Sequence, residues 1–118
     1  MGLDANTVIW LGVKVGSRDE LGDLLREFAE EESEKYEHLM AEGEVNFFGS
    51  KLKIFKHADE PIGLGIELVD RGWRESPVEL DLSNLSSQIP ILTSRIRFLF
   101  ANMKITAEPK VWLATVLP

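Results

Sequence analysis

Few side chains in this sequence are spaced for chemistry, and the two histidines show it first. His38 and His57 stand nineteen residues apart, and neither an H-x-x-x-H nor an H-x-H spacing occurs. Glu34, His38 and Glu42 recur every four residues, so on a helix they share one face and could offer a cation two carboxylates and an imidazole. The same stripe is what the solvated side of an acidic helix looks like, and that reading is preferred, with no metal site expected. His57-Ala58-Asp59-Glu60 gathers polar groups just before Pro61, the pattern of a turn.

Three strings resemble catalytic or nucleotide motifs and fail on context. Ser50-Lys51-Leu52-Lys53 spells S-x-x-K. That pattern needs a helix to set the lysine one turn above the serine, and here it falls in a strand pattern. Gly63-Leu64-Gly65 lacks the third glycine of a dinucleotide loop and sits inside a strand pattern. Glycines there mark a bulge, or make room for a ring or another backbone. No G-x-S-x-G is present, and with no cysteine the chain has neither thiol nucleophile nor thiolate ligand. No cofactor is expected.

The most unusual stretch is Asp70-Arg71-Gly72-Trp73-Arg74-Glu75-Ser76-Pro77, read as a loop. Trp and Arg are enriched at binding hot spots, and Trp73 lies between Arg71 and Arg74. Three readings stand. Trp73 covers the core, or the loop rims an interface, or Glu67, Asp70 and Glu75 supply an acid/base pair with Arg71 or Arg74 orienting an anion.

The elements that position these residues follow from periodicity. Thr7 to Val15 reads as a strand with apolar residues on both faces, Ile9, Leu11, Val13 and Val15 on one, Val8, Trp10 and Gly12 on the other. Ser17-Arg18-Asp19-Glu20 is a capping box, and Leu21, Leu24, Leu25, Phe28, Tyr36, Leu39 and Met40 continue a helical stripe to Gly43, interrupted only by Glu32. Two strands flanking Gly49-Ser50 suit a type II′ hairpin, pairing Phe47 with Leu52 and Val45 with Ile54. Pro61 opens a further strand, Val78 to Leu82 is a short one, and Lys110 to Leu117 a last one. Between these last two, Ile89, Leu92, Ile96, Leu99 and Met103 form a second helical stripe, with Pro90 tolerable only in the first turn.

The expected fold is a single α+β domain over 1–118, in the order β-α-β-β-β-β-α-β. It has one mixed or mostly antiparallel sheet of about six strands and two helices on one face. The other face would then carry Val8, Trp10, Phe48, Phe55, Gly63, Gly65, Trp112, Ala114 and Val116, too many large apolar groups to leave in water. Either the sheet curls and its own loops fill that face, or a second copy covers it, or a heterologous partner or small ligand does.

Composition narrows the classes. At 44% hydrophobic and 28% charged, the 118 residues have an ordinary globular balance, and the apolar run Val8 to Val13 is far too short to cross a bilayer. Residues 17–44 hold eleven acids and three bases, so this stretch exceeds in size the whole chain's net charge of −7 and leaves the rest near neutral. Nucleic acid is not expected as a partner, because no basic run offsets that element. No leader pattern opens the chain, and the absence of cysteine suits a reducing, cytoplasmic setting. The sequence therefore points to a small binding or interaction protein without catalysis of its own, a homodimer or a partner to another protein. It would act through Trp10, Phe48, Phe55, Gly63, Gly65, Arg71, Trp73, Arg74 and Trp112. The alternative is an enzyme or ligand-binding domain with a pocket on the same face, floored by Gly63 and Gly65 and using Glu67, Asp70 and Arg71.

Overall fold

A computed structural model describes residues 6–72 and 82–117. Its elements run β1 (Asn6–Lys14), α1 (Arg18–Leu24), α2 (Arg26–Glu31), α3 (Ser33–Glu42), β2 (Glu44–Phe47), β3 (Ser50–His57), β4 (Glu60–Gly72), α4 (Leu82–Asn102) and β5 (Lys110–Val116). The class is α+β, with one antiparallel sheet of five strands in the order β2-β3-β4-β1-β5. The expected six strands and two helices differ in detail. Of the expected strand Val78–Leu82, residues 78–81 lie outside the described residues and Leu82 opens α4. No described helix is long and apolar enough to cross a membrane.

The first helical stretch is three helices, broken at Leu25 and again at Glu32. Ser17 Oγ accepts from the Glu20 N–H at 3.1 Å, and Glu20 Oε2 accepts from the Gly16 N–H at 2.8 Å, closing the capping box one residue further back than its usual form. Leu21, Leu25 and Phe28 are buried in turn. The next residue on that stripe is Glu32, whose carboxylate would be costly to bury unpaired. The chain breaks there instead, at φ −129° and ψ 62°, and leaves Glu32 exposed. α3 then ends on Gly43 at φ 77°, a left-handed cap.

The β2–β3 hairpin turns one residue earlier than the Gly49-Ser50 reading. Phe47 faces Ser50, and the turn residues Phe48 and Gly49 both have positive φ, 51° and 79°, which makes the turn type I′. Val45 therefore pairs with Leu52, where the pattern had set Phe47 opposite Leu52. The slip is two residues, an even number, so Val45, Phe47, Leu52 and Ile54 still share the core face. Pro90 lies well inside α4 and not in its first turn. Its missing N–H deprives the carbonyl of Ser86, an exposed residue, so water can take the place of the lost bond.

All four helices pack on one face of the sheet. Leu11, Val13, Val15, Leu52 and Leu64 meet Leu25, Phe28, Leu39, Ile96, Leu99 and Met103 in the main core.

Candidate functional site

The other face of the sheet curls over itself. Two register shifts lie on β4, where Leu68 and Ile62 are each an extra residue against β1 and β3. Bulges increase local twist, and the second sits beside Pro61, which has no N–H for the ladder. Between them, Gly12 and Gly65 are paired, and a Cβ on Gly12 would lie 2.0 Å from the Leu64 carbonyl oxygen. A Cβ on Gly65 would lie 2.1 Å from the Leu11 oxygen. Only glycine at both positions lets the two backbones approach this closely. Gly63 makes room for a ring instead, since a Cβ there would lie 2.3 Å from the Trp10 indole.

The curl brings the last strand to the third, although two strands separate them in the sheet. The Ala58 N–H donates to the Leu117 oxygen at 2.9 Å, and the Leu117 N–H donates to His57 Nδ1 at 3.0 Å. β5 is thereby tied to the tip of the β3–β4 hairpin. Beneath it lies a second apolar cluster of Val8, Trp10 and Phe55, with Ile62, Trp112, Ala114 and Val116 packed against it. Trp10 stacks on Phe55 with centroids 4.9 Å apart, and they are 2% and 5% exposed. Both indole N–H groups are satisfied, Trp10 by the Val13 oxygen and Trp112 by the Gly12 oxygen, each at 3.1 Å.

The curl leaves a cleft of roughly 410 Å³ beside β5. Trp10, Ile62 and Trp112 give it apolar walls, and Lys14, His57 and Thr115 give it polar atoms. Lys14 makes no ion pair among the described residues. Because His57 Nδ1 accepts a hydrogen bond, the neutral ring carries its proton on Nε2 and keeps one donor. The cleft thus offers aromatic surface with a cation and two donors, within the usual volume range of small-ligand sites.

The sequence-derived site residues divide. Trp10 and Trp112 line the cleft, and Phe55 lies beneath Trp10. Gly63 and Gly65 do not floor a pocket, because Trp10 and Gly12 already occupy the space above them. Phe48 leaves this face altogether: its ring stands 4.5 Å from Phe47 and 5.0 Å from Phe98 of α4. Glu67 is held by Lys53 at 2.8 Å, and neither it nor Asp70 lines the cleft. Asp70 to Gly72 continue β4 and are not loop. The backbone of Arg71 pairs with Thr7, while Trp73, Arg74 and Glu75 lie outside the described residues. His57-Ala58-Asp59-Glu60 is the hairpin turn its pattern predicts, and the described residues contain no cluster of three His, Asp or Glu able to hold a metal.

Sequence reasoning missed Lys14, His57 as a cleft residue, and Thr115. The signal for Lys14 was present: it is the one charge on the otherwise apolar second face of β1. Nothing in the sequence announced the closure that brings His57 to β5. No family model, curated protein or solved structure matches the chain.

Proposed function

We propose that this protein is a binding domain without catalysis of its own, and that its outer sheet face takes a small ligand in the cleft beside β5. The ligand class is an aromatic or aliphatic ring system bearing one carboxylate or sulfonate. The observation that carries the reading is the open cleft of roughly 410 Å³ between Trp10 and Trp112, beside Lys14, which makes no ion pair among the described residues. Rings stack on indole at little entropic cost, and an ammonium at the wall favours an anion over its neutral analogue. A cytoplasmic setting belongs to the same reading and draws support from the cysteine-free composition. Nucleic acid is not part of it, because the acidic stretch of residues 17–44 opposes a polyanion.

The test uses anilinonaphthalene sulfonate, a fluorescent apolar anion, titrated into the native chain. One dye should bind per chain. Trp112→Ala should weaken binding about tenfold or more, and Lys14→Met about three- to tenfold, both with cooperative melting retained. Binding that ignores both substitutions, or no binding to the native chain, would remove the cleft from the account.

A further inference from the structure

β5 is an edge strand of the sheet, and its free edge borders the cleft. The Val15 N–H donates to the Ile62 oxygen at 3.0 Å, which fixes the alternation along β1: odd-numbered residues bond β4 and even-numbered ones bond β5. Lys110, Trp112 and Ala114, the partners of the even-numbered residues, therefore turn their backbone groups to β1. Val111, Leu113 and Thr115 turn theirs away. Leu117 has the same parity, and the β3–β4 turn takes both its N–H and its oxygen, through His57 and Ala58. The seam thus closes at Leu117 and stays open from Thr115 back to Val111, a free edge of about 13 Å with room for about four residues of extended chain. Among the described residues, the N–H and C=O groups of Val111, Leu113 and Thr115 have no hydrogen-bond partner.

We propose, resting on the reading of the cleft as a ligand site, that its ring and carboxylate belong to the C-terminal residue of a peptide, which extends along β5 as an added antiparallel strand. Charge sets the direction. Lys110 pairs with Gly12, and Lys14 stands two residues further along β1, so two ammonium groups lie at the end where β5 begins. Neither makes an ion pair among the described residues, and no carboxylate lines the cleft. A strand antiparallel to β5 brings its carboxyl terminus to that end, whereas a parallel one carries it to the closed end at Leu117. Parity then places the side chains. With the last residue opposite Trp112, its ring enters the cleft. The residue before it exchanges two hydrogen bonds with Leu113 and lays its side chain on the Leu113 side chain, on the other face of the sheet, where Leu113 is 67% exposed. One occupant thus accounts for the open edge, the exposed leucine and the two lysines. A second copy of β5 would bring these lysines no side-chain carboxylate, since residues 110–116 contain none.

Calorimetric titration of the full chain with the peptide acetyl-Thr-Ala-Val-Phe reads it. The peptide should bind one per chain, about tenfold or more tighter than acetyl-phenylalanine, and should displace anilinonaphthalene sulfonate. Its C-terminal amide should bind about tenfold more weakly, and Lys14→Met should weaken the acid while leaving the amide unchanged. Methylation of the valine nitrogen, whose N–H faces the Leu113 oxygen, should cost about tenfold or more. Methylation of the alanine nitrogen, whose N–H points away from β5, should cost less than about threefold. Equal losses from the two methylations would overturn the proposal, as would an amide that binds as well as the acid, or acetyl-phenylalanine that binds as well as the peptide. If dye binding still responds to Trp112→Ala, any of these results removes the added strand and leaves the cleft as a ligand site. Dye binding indifferent to Trp112→Ala would remove the cleft and the strand together. A free chain of twice 13.3 kDa that the peptide splits would give the edge to a second copy, and would equally overturn the proposal.

Discussion

The two faces of the sheet solve the same problem by different means. The helix side is buried by added elements, and its core is mostly aliphatic, with Leu25, Leu39, Leu52, Leu64, Ile96, Leu99 and Met103 around Phe28 and Phe47. On the outer side no described helix packs. That side is buried by bending the sheet, using two bulges, the Gly12–Gly65 approach, and stacked aromatic rings that bridge a wide gap with few residues. Helices can slide and repack to fill a face. A strand crossing a curled sheet is fixed by its hydrogen bonds, so it leaves space where the curvature and the side chains do not match. The cleft beside Trp112, of roughly 410 Å³, lies on the outer side, and the grooves described along α4 on the helix side are smaller, roughly 210 to 320 Å³.

Substitutions can break this contrast. The largest effect is expected from Gly12→Val, because its Cβ would meet backbone that cannot move without undoing the curl. The loss should be about 4 kcal/mol or more in a denaturant titration, enough to threaten folding. Next comes a matched pair. Trp10→Ala on the outer side and Leu39→Ala on the helix side should cost about 3–5 and 2–5 kcal/mol, since both are buried inside one chain. A Trp10→Ala cost within about 1 kcal/mol of zero would show that the outer cluster contributes little to the isolated chain. A smaller effect, of opposite sign, concerns the tie between β3 and β5. Ala58 sits at φ 49°, so Ala58→Gly relieves left-handed strain and should stabilise by about 0.5–1 kcal/mol, with its N–H still free to bond Leu117.

The smallest effect is a pH dependence on the helix-side hairpin. The Lys51 hydrogen bond holds the Glu44 carboxyl below its ordinary range, and Glu44 in return raises Lys51. A lowered folded-state value means the pair stabilises above the unfolded carboxylate range and loses that contribution as pH falls through the folded value. Both groups are at the surface, so Glu44→Gln should flatten the acid limb of the melting curve only slightly, and added salt should mask the difference.

Much of the fold was legible because it rests on local rules. The apolar faces of β1 and the capping box at Ser17 appear where periodicity and residue type put them. The hairpin kept its faces despite a misplaced turn, because only an even slip preserves the pattern. The pattern at Gly63 and Gly65 allows a bulge, a ring or another backbone, and Gly63 makes room for the Trp10 ring while Gly65 makes room for the backbone of Leu11 and Gly12. What was not legible depends on distance in the chain. The closure of Leu117 on His57 spans sixty residues, and the helix break at Glu32 depends on what that residue would otherwise be buried against. The pattern sets Phe48 with the outer aromatics, but the turn falls one residue earlier, and that shift decides which side of the molecule its ring joins.

The aromatic cluster of the outer face is covered by its own chain. A protein with Trp73→Phe and Trp112→Phe keeps Trp10 as its only tryptophan, and iodide quenching of its fluorescence reads the cover directly. Trp10 is 2% exposed within one chain, so quenching should be weak and the same from dilute to concentrated protein. Quenching that rises on dilution would mean that a second copy supplies the cover. Quenching like that of free indole at every concentration would mean that the face is open.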